Sequence, residues 1–437
     1  MSPIFGAHLR AHFFVGSCAA LVAGTLAVSA AGFVHAAEGP LSLDAARQLA
    51  TERSRRLVGQ DALVAAARDR AAAATRLPDP MLRLGINNLP VTGPERFSLT
   101  EDFMTMRSIG MAQEFTRSEK RKARQARFDR EADAATAAQA AAHADLDREV
   151  ALAWLGRHFE EARRVLLLRQ REQARLQIDA AEALLRGARG SPADVLAARS
   201  LVEQLGDRLA ESDQRIAVAT NALARWVGPA ANGPLAPPPA FDALPFSDDD
   251  LAARLEHHPQ LAMMTRQVDV ARAQAEMARA ERQSDWSLEF MYSQRGPAYS
   301  NMVSVNVSIP LQWNRKDRQD RELAAELSTV EAMRAEREEA VRAHEAEVRD
   351  MLLESRSKRE RLRRYDGALL PLSQDRTKSA LAAYRAGSGS LAAVLEARRN
   401  EIDVQFERLQ LERDVARLWA QLNYLVPSGH DSAQSRQ

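Results

Sequence analysis

Arg186-Gly187-Ala188-Arg189-Gly190-Ser191-Pro192-Ala193-Asp194-Val195-Leu196 returns 199 residues later as Arg385-Ala386-Gly387-Ser388-Gly389-Ser390-Leu391-Ala392-Ala393-Val394-Leu395. The offset carries through Arg199 and Arg398 and through Leu223 and Leu422, with a one-residue slip between Leu209 and Leu409. Both halves close alike, on Leu223-Ala224-Arg225-Trp226-Val227-Gly228 and on Leu422-Asn423-Tyr424-Leu425-Val426-Pro427. A period of about 200 residues is far longer than a solenoid repeat. It implies two copies of one large unit and a fold with internal pseudo-symmetry.

Outward from these turns, each unit reads helix, strand, loop, strand, very long helix, turn, helix. Ser42 suits an N-cap for a helix to about Arg76, which Leu77-Pro78-Asp79-Pro80 ends. Ser247-Asp248-Asp249-Asp250 would cap its counterpart, running to about Gln283. Val303-Ser304-Val305-Asn306-Val307-Ser308-Ile309 alternates apolar and polar with the period of a strand, and Ser287 to Ser293 does so less strictly. In the first unit Leu82, Leu84 and Ile86 share one face, as do Ile109 and Met111 in the partner strand. Long polar helices follow, from about Ser118 to Arg186 and from about Asp317 to Arg385, interrupted only by Pro371. Each would extend roughly 100 Å. Leu146, Val150, Ala153, Leu155 and Phe159 recur at helical spacing, so these helices must pack as a coiled bundle.

The boundaries expected are a signal peptide over 1–36, a first repeat over 37–228, a Pro-rich linker over 229–246, a second repeat over 247–427 and a disordered tail over 428–437. Phe13 to Val34 is apolar and small, and Val34-His35-Ala36 fits a cleavage site. The single cysteine, Cys18, lies inside that segment. It is either removed with the segment or lipidated, since Val15-Gly16-Ser17-Cys18 loosely resembles a lipobox. Cleavage would leave no disulfide and no thiolate metal site. With 60 basic and 59 acidic residues, the charge balance gives no electrostatic case for nucleic acid. No later stretch is apolar for the 18 or so residues of a spanning helix, so any membrane crossing must use strands.

Two hairpins supply four strands. The smallest membrane barrels have about eight, and open strand edges are not tolerated in hydrocarbon. The chain must therefore assemble with copies of itself in closed symmetry, a dimer giving eight strands and a trimer twelve. The fold class expected is mainly α with a membrane β-barrel, in two tandem repeats.

Ala383-Tyr384-Arg385-Ala386-Gly387, with Ala393-Val394-Leu395-Glu396-Ala397-Arg398 and the strand end Ser308-Ile309-Pro310-Leu311, resembles the TolC family of outer-membrane efflux proteins. The resemblance covers the exported chain. It implies a homotrimer with a twelve-stranded barrel on a periplasmic helical tunnel. The implied partners are a periplasmic adaptor, an RND-type inner-membrane transporter and outer-membrane lipid. Leu77-Pro78-Asp79-Pro80-Met81-Leu82, Asn88-Leu89-Pro90, and Gln113-Glu114-Phe115 with Glu119-Lys120-Arg121 resemble the heavy-metal branch, which exports cobalt, zinc and cadmium or copper and silver. Alternative readings are a similar channel for drugs or secreted polypeptide and, from another class, a periplasmic adaptor or coiled-coil scaffold.

The resemblance places Tyr384 at a gating position and Glu396 at an acidic pore position near the tip. Gly389 stands where a basic residue would be expected. Asp194 is a second acidic candidate. Carboxylates repeated around a pore would concentrate cations. Gly187, Gly190, Gly387 and Gly389 form the tip turns; Gly190 and Gly389 are expected to supply backbone conformations closed to other residues. Met104 and Met106 offer thioethers but read as apolar filler. His257-His258 has no ligand partners in its vicinity, so no metal site is expected. No nucleophile elbow, phosphate loop or His-Glu-x-x-His is present, so neither enzymatic chemistry nor a cofactor is expected.

Overall fold

The computed structural model describes residues 39–188, 190–243 and 257–425. The signal-peptide segment, Cys18, the Ser247 cap and the C-terminal tail lie outside the described residues.

Within Gly39–Gln437 the elements fall into two successive stretches, named for the repeats expected from the sequence. The first repeat has α1 (Leu43–Arg53), α2 (Arg55–Ala74), β1 (Met81–Asn87), β2 (Met106–Phe115), α3 (Ser118–Arg186) and α4 (Pro192–Val227). The second has α5 (Pro259–Ala280), β3 (Trp286–Gln294), β4 (Met302–Ser308), α6 (Gln319–Arg364), α7 (Leu370–Arg385) and α8 (Leu391–Asn423). The 69 residues of α3 span about 100 Å. It is the spine of the bundle, packing against α2, α4, α5 and α8.

Three local findings differ from the expected pattern. The first helix is broken: Ser54 leaves helical geometry, and its side chain accepts from the Leu57 amide at 3.3 Å, capping α2 as Ser42 caps α1. The second long helix carries a π-turn over Tyr365–Leu369. Pro371 is the cause in physical terms. It has no amide to bond the preceding turn, and its ring would crowd the carbonyl of residue 367. A wider turn, with the Leu370 amide bonding the Tyr365 carbonyl, lets the helix pass without stopping. The linker also begins with a 3-10 helix, Gly228–Asn232, and is docked rather than free. Leu41 and Leu235 form a parallel bridge, the Trp154 indole donates to the Leu41 carbonyl at 3.0 Å, and Arg157 donates to the Gly233 carbonyl at 2.9 Å. Trp154, Val150 and Leu223 are wholly buried in this core.

The four strands form one antiparallel sheet in the order β1-β2-β3-β4, joining the two repeats edge to edge. The middle pair is long-range, with Ile109 opposite Tyr292, Met111 opposite Phe290 and Phe115 opposite Trp286.

Candidate functional site: the strand sheet and the helical tip

Period-two alternation divides the sheet into two chemically distinct faces. Leu82, Leu84, Ile86, Ile109, Met111, Phe290, Tyr292, Val303, Val305 and Val307 all lie on one face, and all are exposed. The other face presents Arg83, Ser108, Glu289, Ser304 and Asn306, with an Arg83–Glu289 ion pair at 3.2 Å. A continuous exposed apolar face would be destabilising in water and is what a lipid-facing barrel wall requires. Among the described residues β1 and β4 have free edges, so the sheet is an open segment. Aromatic residues stand at both ends. Phe115 stacks on Trp286 at 4.3 Å with Trp313 exposed nearby in sequence, and the loops carry exposed Phe97, Phe103 and Tyr299. Aromatic girdles of this kind are what membrane barrels place at their two interfaces. Sequence reading missed them because loop aromatics have no periodicity. Among the described residues no helix is long and apolar enough to cross a membrane.

Below the sheet, an ion cluster centred on the buried Lys120 ties α3 to the segment before β3. Lys120 Nζ lies 2.8 Å from Asp285 and 2.9 Å from Glu281, and the Arg117 amide donates to Asp285 at 2.9 Å. Burial opposes the Lys120 charge, but the two carboxylates outweigh it and hold its pKa above the ordinary lysine value.

At the far end the two helical hairpins meet. Tyr384 is buried in a cluster with Val195, Leu391 and Val394, and its hydroxyl has no hydrogen-bond partner among the described residues. Burial first, then the charge of Asp194, raises its pKa. Asp194 is committed to a capping box: its carboxylate accepts from the Ser191 amide at 3.1 Å while the Ser191 hydroxyl accepts from the Asp194 amide at 3.2 Å. Tyr384 and Asp194 are thus brought together. Glu396 stands apart, exposed on α8 and paired with Arg376 at 2.8 Å.

The glycine expectation needs correction. Among the described residues the left-handed positions in the tip turns are Ala188, at φ 55°, and Gly387, at φ 76°; Gly389 is not one of them. Gly190 and Gly389 serve close approach instead. A Cβ at Gly389 would lie 3.1 Å from the Tyr384 nitrogen, and one at Gly190 would lie 3.1 Å from the Leu185 nitrogen. Gly187 caps α3 at φ −80°, donating to the Ala183 carbonyl.

The first-repeat motifs have local structural uses. Gln113 donates to the Pro78 carbonyl at 2.8 Å, and Asn88 takes a left-handed backbone at φ 57°. Met104 is an exposed loop residue and Met106 opens β2. Among the described residues no group of three or more His, Cys, Asp or Glu is placed to hold a metal. His258, however, does have a partner: the ring of His344, far along the chain, lies 4.6 Å away.

Residues 251–426 match the sequence model of the family described as outer membrane efflux protein. No curated protein sequence matches the chain. Several solved structures share the fold. The outer-membrane channel OprN aligns with a TM-score of 0.74 at 19% identity, covering 88% of this chain and 89% of its own. CusC, whose structures concern folding and transmembrane channel formation, gives 0.73 at 18%, covering 88% and 92%. The outer membrane protein VceC of Vibrio cholerae gives 0.72 at 17%, covering 88% and 95%. The second repeat thus carries the sequence signature of outer membrane efflux proteins, on a fold that 88% of the chain shares with solved outer-membrane channels.

Proposed function

We propose that this chain is the outer-membrane channel of a tripartite efflux system. Three copies close their four-stranded sheets into a twelve-stranded barrel, and their helices form a periplasmic tunnel. The observation that carries this reading is the sheet: one face apolar and exposed, two edges unpaired, mounted on helices about 100 Å long. Hydrocarbon accepts the face but not the edges, and symmetric closure answers both. The channel is passive. Energy and substrate choice come from an RND-type inner-membrane transporter, reached through a periplasmic adaptor at the helical tip.

Heavy-metal cations are the first reading for the cargo. Support comes from the resemblance of the Leu77–Leu82, Asn88–Pro90 and Gln113–Phe115 segments to the metal-export branch. The solved channels share the fold at under 20% identity, so fold alone favours no cargo. Growth of a strain lacking the protein, on zinc, cadmium, cobalt, copper, silver, drugs and detergents, tests the reading. Sensitivity confined to one metal group supports it. Sensitivity to drugs with metals unaffected moves the cargo to general efflux. Release of the protein from membranes by alkaline carbonate would overturn the barrel itself.

A further inference from the structure

His258 immediately precedes α5 and His344 lies on α6. Their ring centres stand 4.6 Å apart, tilted by 35°. His258 is 4% exposed, and its Nδ1 is buried without a hydrogen-bond partner among the described residues. A buried nitrogen left unpaired costs stability unless something occupies it. The Glu347 carboxylate lies 3.4 Å from His344 Nδ1. A carboxylate there favours the tautomer with the proton on Nδ1 and leaves Nε2 with its lone pair. Glu347 stands close to the position from which an outer carboxylate orients a metal-binding imidazole.

We propose that His258 and His344 form a binding site for a divalent transition-metal ion, with water completing the coordination. With metal–nitrogen bonds of about 2.0–2.1 Å, two imidazoles bound in adjacent positions have ring centres roughly 4.5–6 Å apart. The observed separation is at the narrow end of that range. The wall beside the pair is dry: Leu261, one turn on from His258, and Val348, one turn on from His344, belong to one buried apolar cluster. The third helix facing the pair supplies Asp145 and Arg148, ion-paired at 2.7 Å, with Arg56 on Asp145 at 3.2 Å. Glu347 offsets one charge of the incoming ion. Imidazole nitrogen suits zinc, nickel and copper, and copper(II) binds tightest at a site of given geometry. The site lies in the helical wall and does not depend on what the channel carries.

The test uses the full protein purified without a histidine tag. Copper(II) is titrated by calorimetry, and the bound ion is examined by electron paramagnetic resonance. One ion per chain should bind, with hyperfine structure from two nitrogens. His344→Gln should weaken binding at least tenfold and remove one nitrogen from the spectrum, as should His258→Gln; His257→Gln should change neither. His344 is on the more accessible side, so its variant keeps the test informative if His258→Gln misfolds. Absence of stoichiometric binding to the wild-type protein, or an unchanged affinity and spectrum in His344→Gln, overturns the proposal.

Discussion

Glu396 is exposed and paired with Arg376, so its removal should leave the fold intact. Exposed pairs of this kind contribute about 0–1 kcal/mol. A change in conduction on Glu396→Gln would therefore report electrostatics rather than unfolding. If Glu396 faces the pore in a ring of three, the variant should lower the cation-to-anion permeability ratio of channels in planar bilayers. A reversal potential equal to wild type would remove Glu396 from the pore. His258 makes a second residue-scale prediction. Burial first, then His344 and Arg148, lowers its pKa to about 4, with Asp145 opposing. The fold keeps this imidazole neutral, whereas the unfolded chain protonates it near pH 6.5. Its contribution is therefore complete above about pH 6.5 and is lost as the pH falls toward 4. Between pH 7.5 and 5 the loss should be about 2 kcal/mol per chain. Thermal unfolding followed by circular dichroism should show a larger acid shift in metal-free wild type than in His258→Gln. Equal shifts would place the acid sensitivity elsewhere.

Local chemistry decides how each element ends, and the tip turns show it. Ser191 and Asp194 close a full capping box at α4, whereas Ser390 caps α8 by accepting the Ala393 amide, with no acid returning the bond. Ser191→Ala should then cost about 1 kcal/mol and free the Asp194 carboxylate. Ser390→Ala should cost less. Denaturant melts of the two variants compare the costs directly; equal losses would mean the reciprocal bond adds nothing. Much of this level was legible from residues alone. The strands followed alternation, as at Val303 to Val307, and α3 was read from Ser118 to Arg186 as it is observed. The break at Ser54 was missed because the apolar spacing runs through it. The π-turn was missed because Pro371 announces a disturbance but not its form. At the tip, Tyr384 and Asp194 sit far apart in sequence, and only the meeting of the two hairpins reveals their coupling. His344 lies in a charged stretch with no local sign that it would reach His258.

For the whole molecule, the sheet is the feature that one chain cannot satisfy. Ile109 lies near the middle of β2, between Leu84 and Tyr292 on the apolar face. Ser304 lies on the opposite face, across from Met291. The two positions have similar strand geometry but would meet different solvents in a closed barrel. A lysine at Ile109 would enter hydrocarbon and should cost about 2–4 kcal/mol per chain if the site is near the membrane midplane, and three copies would share the penalty in a trimer. A lysine at Ser304 would face the water-filled lumen and should leave assembly nearly intact while changing conduction. Folding into lipid vesicles, followed by mobility of unheated samples on gels, separates the two. Ile109→Lys should give little assembled trimer and Ser304→Lys a normal amount. Equal assembly of both variants would mean that the apolar face does not meet lipid, and the exposed row from Leu82 to Val307 would then need a protein partner in place of a membrane.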